Sequence, residues 1–316
     1  MSNSMPTFRN YQVTRVLGEG AMGIVYLAKD QTGRNVAIKS LKNFDTSDSF
    51  RDHFMREMHI YQNLIHPNLV IPFEVESDPP FIVMEYVDGK PLAKALTDGI
   101  RFELTAIAQI LEQIGDGLTY VHQLGVIHGD LNPQNIMLAR NHEGSLLVKI
   151  LDFGIAKTEG SYVPFGQRPK KPPKSAAREG AYGTPGYIAP ELFTTHKLDF
   201  RSDIFSFGVI AHELITGQSP FSAPVPWRTL NRPKIQEVTP TFVAIMDKAL
   251  NEDPNARYDT AMELASALED LFKESEFHEM LVELSSSHGN DFALRPEYTT
   301  QDILKWELDS EHLLNG

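Results

Sequence analysis

The 316-residue chain contains no cysteine, so it forms no disulfide and builds no thiolate metal site. That absence fits a reducing compartment, and a cytoplasmic location is expected. Basic side chains are also in short supply: 29 Lys and Arg stand against 42 Asp and Glu, a net charge of −13. This balance argues against a nucleic-acid binder or a membrane-surface protein, since both present basic faces to phosphates. Long apolar runs are missing as well. The stretch from Phe205 to Ile215 is broken by His212 and Glu213, and the opening MSNSMPTFRN has no basic-then-apolar pattern. Neither a membrane span nor a cleaved signal is expected. What is present is 41% apolar and 22% charged residues, the balance of a globular chain with buried cores, at a length that suits two domains.

After an N-terminal extension at 1–10, residues 11–87 read as strands. Short apolar runs (YQVTRVLG, GIVYLAKD, NVAIKSL, LVIPFEV, FIVMEYV) are divided by Gly, Asn, Asp and Pro. One helix interrupts them, where Phe50, Phe54, Met58 and Tyr61 recur at helical spacing. Residues 88–273 are mostly helical in period, as in IAQILEQIGDGLTYVHQLG, DIFSFGVIAHELITG and TFVAIMDKALNEDP. The joint is expected at an Asp-Gly turn in MEYVDGKPL. The fold class is therefore α+β, with a small β-rich lobe followed by a larger α-helical one. Residues 157–178 hold six Lys or Arg, one Glu and four Pro, and predict an exposed irregular basic loop. Residues 274–316 form an acidic extension with ten carboxylates against Arg295 and Lys305.

Three groups of residues carry chemistry. LGEGAMGIV, residues 17–25, sets Gly18, Gly20 and Gly23 in a G-x-G-x-x-G array whose bare backbone can approach a phosphate. A dinucleotide-binding turn has the same spacing but needs a helix next, whereas here a strand follows. In VAIK, Lys39 sits on an apolar strand, and an ammonium covered there needs an opposite charge, which Glu57 can supply. In HGDLNPQN (128–135) and KILDFGIAK (149–157), Asp130, Asn135 and Asp152 offer hard oxygens after apolar strands, suited to Mg²⁺ held together with a nucleotide's phosphates.

In this order the motifs resemble a eukaryotic-type (Hanks-type) protein kinase, most like the bacterial serine/threonine kinases, from Tyr11 to Phe272. The resemblance implies a bilobal fold with ATP and Mg²⁺ (or Mn²⁺) as cofactors and protein Ser/Thr hydroxyls as acceptors. It implies that Gly18, Gly20 and Gly23 cover the phosphates, that Leu17 is a further nucleotide-binding residue, that Lys39 pairs with Glu57, and that Val25, Ala37 and Met137 enclose adenine. Met84 is then the gatekeeper, and Glu85 and Val87 are the hinge. Asp130 is the base, and Asn135 and Asp152 hold the metals. GTPGYIAPE (183–191) resembles the substrate-docking segment, Asp203 the anchor of the catalytic loop, and Arg257 the partner of Glu191.

Two positions of HGDLNPQN depart from that family. Gly129 stands where an arginine usually receives a phosphorylated activation-loop residue, so activity is expected not to depend on such phosphorylation at Ser161, Ser175 or Thr184. Asn132, counted among the catalytic positions, stands where a lysine neutralises the transferring phosphoryl group. An unreplaced cation there is worth about 2–4 kcal/mol of transition-state stabilisation. The loop by itself resembles small-molecule phosphotransferases of the aminoglycoside and choline kinase type, while the segment from Asp152 to Glu191 resembles protein kinases. A protein kinase is the expected function. A pseudokinase or nucleotide-binding scaffold and a small-molecule phosphotransferase are the alternatives. Phe277, Met280, Leu281 and Leu284 give the extension an apolar stripe. It is expected to pack on the parent domain, or to serve a regulatory partner or homodimer by neutralising the basic loop.

Overall fold

The computed structural model describes residues 6–19, 23–41, 62, 64–152, 157–158, 186–194, 198–221, 239–275, 277 and 297–298. Its contacts divide the chain into two units, Met1–Asp88 and Gly89–Gly316. In the first, β1 (Gln12–Glu19), β2 (Gly23–Lys29), β3 (Asn35–Leu41), β4 (Pro72–Ser77) and β5 (Pro80–Glu85) form one antiparallel sheet of order β1-β2-β3-β5-β4. The β2–β3 turn closes on Asp30, whose Oδ1 accepts the N–H groups of Thr32 (2.9 Å) and Arg34 (3.0 Å). Gly33 completes the turn at φ +84°, a conformation that costs glycine nothing.

Alternation along the strands gives the sheet two faces. Tyr26, Ala28, Val36, Ile38, Phe81 and Val83 close one face into a core with Phe8, whose ring stacks edge-on to Phe81 at 5.1 Å. The opposite face follows from the register. Val25, Lys39 and Ile82 are cross-strand partners, as are Leu27, Ala37 and Met84.

The second unit opens on β6 (Gly89–Pro91). An Asp-Gly turn was the sequence expectation at this joint, but Gly89 pairs with Ala139 in a sheet instead. A Cβ at Gly89 would overlap the backbone of Leu138, so glycine is required here by close strand approach and not by a turn. Next come α1 (Leu92–Thr97), β7 (Arg101–Phe102), α2 (Leu104–Gln123), β8 (Val126–Ile127), β9 (Ile136–Arg140), β10 (Leu146–Ile150) and β11 (Lys157–Thr158). They are followed by α3 (Glu191–Thr194), α4 (Phe200–Thr216), α5 (Pro240–Ala249), α6 (Ala261–Leu271) and β12 (Glu297–Tyr298). Apolar residues of α2 at helical spacing, among them Ile107, Ile110, Ile114, Leu118 and Val121, are buried. Helix α2 packs closely on α6, since a Cβ at Gly115 would come within 2.9 Å of that of Ala265.

Helix α4 is buried along nearly its whole length, which makes it the post around which this unit is built. Its start is fixed by a capping box between Asp199 and Ser202, and its end by Gly217 at φ +70°. One further sequence expectation changes in this unit. The basic segment is not irregular from its first residue, because Lys157 and Thr158 pair antiparallel with Ile127 and Val126. The acidic extension packs where it begins: Phe277 is fully buried, 5.7 Å from Phe272 and 6.1 Å from Phe242. Further on, Glu297 and Tyr298 pair in parallel with Arg101 and Phe102. Met280, Leu281 and Leu284 lie outside the described residues, as does the helix expected around Phe54. Among the described residues no helix is long and apolar enough to cross a membrane.

Candidate active site

In the first unit, Val25, Ala37, Lys39 and Met84 share the sheet face turned away from the Phe8 core. Gly18 is the β1 partner of Val25 and is exposed. A Cβ added there meets nothing within 4 Å, so packing among the described residues does not explain why this position is glycine. Leu17 is half-buried beside it. Gly23 opens β2, and Lys39 is half-buried on β3. The N–H of Glu85 donates to the Ile71 carbonyl at 2.9 Å, so this N–H is already engaged within the first unit. Val87 lies half-buried just after β5. Gly20 and Glu57 lie outside the described residues.

In the second unit the chain leaves β8, forms the HGDLNPQN loop, runs through β9 and β10 to Asp152, and returns at β11 to pair with β8. Both acidic loops therefore run between the β8–β11 pair and the β10-β9-β6 sheet. Edge strand β10 is held by Gln113 of α2, which accepts from the Val148 N–H at 2.8 Å and donates to the Leu146 carbonyl at 3.2 Å. Met137 is half-buried on β9, opposite Pro91 and Lys149.

The loop hangs from α4. Asp203, 1% exposed, accepts the His128 N–H on Oδ2 and the Gly129 N–H on Oδ1, both at 2.8 Å, and the His122 ring N–H on Oδ2, also at 2.8 Å. Burial pushes this carboxyl up, but hydrogen bonding and the charge of His122, together with His128 and the Gly129 N–H, prevail and hold it below the usual carboxylate range. Held this way, Gly129 takes φ +74°, where a side chain would be strained by about 1–2 kcal/mol. Its added Cβ would also come within 3.3 Å of Leu198. Glycine relaxes the loop here and presents no cation.

The buried His128 ring ties the two loops together. Its Nδ1 accepts the Asp130 N–H at 3.2 Å, which leaves Nε2–H to donate to the Leu151 carbonyl at 3.0 Å. Asn135 closes the network. Its Nδ2 donates to the Asp130 carbonyl at 2.9 Å, and its own carbonyl accepts the Leu151 N–H at 2.8 Å. Asp130, Asn135 and Asp152 are thus linked through a handful of hydrogen bonds. Asp152 itself sits at φ +42°, a conformation of order 1–3 kcal/mol above the relaxed one for a non-glycine residue and concentrated at functional positions. Asn132 is 1% exposed, with its amide bonded inside the loop.

A cavity of about 400 Å³ adjoins this loop, lined by Asn132, Pro133 and Gln134 with Arg101, Tyr187 and Glu213. At its polar end the Tyr187 hydroxyl donates to Glu213 at 2.5 Å. Burial pushes the Tyr187 hydroxyl up, and the charge of Glu213 adds to the shift. Burial also raises Glu213, against the opposing hydrogen bond from Tyr187. Beyond it, Glu191 and Arg257 form a buried bidentate pair at 2.7 and 2.8 Å.

Sequence reasoning missed His122 and Gln113. Each is a single polar residue in an amphipathic helix, and neither carries a local signal of its partner 81 or 35 residues away. The role of Asn132 did have a signal, because Asn before Pro is a frequent start of a helical turn.

This arrangement defines the protein-kinase fold, with its acidic loop anchored on a buried helix. The structure is similar to the PknI kinase domain of Mycobacterium tuberculosis, with a TM-score of 0.62 and 26% identity over 84% of this chain and 97% of that one. The family model described as protein kinase domain matches residues 11–268, and the chain belongs to that family. It is also similar to serine/threonine-protein kinase pkn2 of Myxococcus xanthus, 32% identical over 274 residues, and to PknB of Mycolicibacterium smegmatis, 34% identical over 277. These alignments cover 82% of this chain but 32% and 42% of the relatives, so the chain spans well under half of their length.

Proposed function

We propose that this chain is an ATP-dependent protein kinase that transfers the γ-phosphoryl group to serine or threonine hydroxyls of protein substrates, with Asp130 as the base. The observation that carries this reading is the Asp203–His128–Asp130–Asn135 network, which holds a carboxylate and an amide in one fixed loop bonded to the residue before Asp152. Asn135 commits its nitrogen to Asp130, so its oxygen is the atom it brings to a metal. With the Asp152 carboxylate this gives two hard oxygens, a donor set that fits Mg²⁺ completed by water and phosphate. The ion supplies charge neutralisation of the phosphates when bound. The acceptor hydroxyl gives its proton to Asp130 as its oxygen bonds to the γ-phosphorus, and ADP leaves with the electrons of the cleaved bond.

Lys39 is assigned to the phosphates. Gly18 and Gly23 are assigned to the loop that covers them, together with Gly20, and Leu17 is assigned to the nucleotide. Val25, Ala37, Met84 and Met137 are assigned to the adenine surface, with the Glu85 carbonyl and Val87 as the hinge. Glu57 is assigned as the partner of Lys39. The cavity beside Pro133 and Tyr187 supports a polypeptide acceptor, whose side chains need a surface next to the base.

A phosphotransfer assay with ATP, Mg²⁺ and a generic protein acceptor tests the reading. Asp130→Asn should lose about 10²–10⁴-fold in kcat, while ATP with Mg²⁺ still raises its melting temperature as in wild type. Thermal stabilisation by ATP with no transfer in wild type would mark a scaffold, and turnover only with an added small alcohol a small-molecule kinase. Because Gly129 offers no guanidinium to a phosphorylated side chain, phosphatase-treated protein should keep its activity. Loss of activity on both dephosphorylation and substitution of Ser161, Ser175 or Thr184 would refute that independence.

A further inference from the structure

We infer that Asn132 is a positioning residue for Asp130: its amide clamps the base and caps the turn that delivers Asn135, in place of the cation that protein kinases usually carry there. The inference rests on the reading of Asp130 as the base. A primary amide has two N–H donors and one acceptor oxygen, and all three are in use. Nδ2 donates to the Asp130 carbonyl at 2.9 Å and to its carboxylate Oδ1 at 3.1 Å. Oδ1 of Asn132 accepts the Gln134 N–H at 2.9 Å and so starts the short turn Pro133–Asn135. The amide has one sensible orientation. Turning it over would set its oxygen against two acceptors and its nitrogen against a donor.

Three consequences follow from this geometry. The side chain is 1% exposed with its polar atoms directed into the loop, so it is not placed to touch a transferring phosphoryl group. Its donor end fixes the carboxylate torsion of Asp130, and hence the direction in which the second carboxylate oxygen points. Its acceptor end fixes the turn whose third residue, Asn135, returns a hydrogen bond to the same Asp130 carbonyl. A single side chain thus sets the base and the proposed metal ligand relative to each other. Pro133 strengthens the turn, since it takes a position where no N–H is needed.

The two ends of the amide can be separated by substitution. Serine keeps an acceptor for the Gln134 N–H but is too short to reach the Asp130 carboxylate, whereas alanine keeps neither. In the full chain, Asn132→Ser is expected to melt like wild type yet lose about 10–100-fold in kcat, with KM for ATP and acceptor within about twofold. Asn132→Ala should lose kcat equally and melt lower. An Asn132→Ser variant with wild-type kcat would reduce the residue to a cap and overturn the clamp. So would a loss carried wholly by KM, or a melting temperature as low as that of Asn132→Ala. Wild-type protein that binds ATP but transfers nothing would instead sink the kinase reading, and the clamp's catalytic meaning with it.

Discussion

Arg257→Ala is expected to lower the stability of the chain by about 3–5 kcal/mol, the largest effect on stability of any single substitution, although the hydrogen bonds of Arg257 go to residues other than Asp130. The guanidinium is wholly buried, and all five of its N–H donors are engaged. Two go to the Glu191 carboxylate at 2.8 and 2.7 Å, and the others go to the carbonyls of Asn251 at 2.8 Å, Arg201 at 2.9 Å and Glu252 at 3.5 Å. Removing the side chain leaves the buried Glu191 carboxylate without its cation, while the Ser202 hydroxyl still donates to it at 2.7 Å. Lysine does not rescue it, because a single ammonium cannot reproduce the planar fork.

Most of the loss comes from the stranded charge and not from the worth of the pair. Glu191→Gln combined with Arg257→Met should therefore lose less than the two single substitutions added together. Urea unfolding followed by circular dichroism reads this as a shift in midpoint at constant slope. A loss under 1 kcal/mol for Arg257→Ala would mean that the pair is solvated, contrary to its burial.

The pairing of Glu191 with Arg257 was legible through the family resemblance, and the two side chains do bond. Asp130, Asn135 and Asp152 were singled out by residue type and spacing, and hydrogen bonds do tie together the two loops that carry them. The five strands of the first unit were legible for another reason. A sheet with one face on a core imposes alternation, and Val36, Ile38, Phe81 and Val83 follow it. What could not be read was set by distant partners. Asp88-Gly89 has the local form of a turn, yet Gly89 is held extended by strand β9, more than 45 residues on, and tertiary pairing overrides the local preference. Lys157 and Thr158 were averaged into a basic, proline-rich segment whose composition hides a two-residue strand. Asn132 was read for the charge it lacks. Its function follows from bonds to residues two positions away on either side, which become visible only once the loop is folded.

Those bonds depend in turn on Asp203, and its replacement carries the second large effect. Asp203→Asn keeps size and shape but supplies one acceptor oxygen where the loop uses two. With the oxygen toward His128 and His122, the amide N–H₂ faces the Gly129 N–H. Turned the other way, it faces two donors. Either arrangement opposes like dipoles in a dry site and releases the backbone that orients Asp130. A displacement of about 1 Å at a catalytic group costs roughly 100-fold, so kcat should fall by at least that factor, with little change in KM for ATP. Stability should drop by about 3 kcal/mol at neutral pH, since buried donors lose an ionised partner. The folded-state pKa of Asp203 lies below the ordinary aspartate value, so the carboxylate's contribution is present above that value and disappears as pH falls through the folded-state one. Wild type and variant should therefore begin to converge in stability as pH falls below about 4 and meet only below the folded-state value. An Asp203→Asn protein with wild-type kcat would show that the loop holds its shape without α4, which the three 2.8 Å bonds to one buried carboxylate argue against.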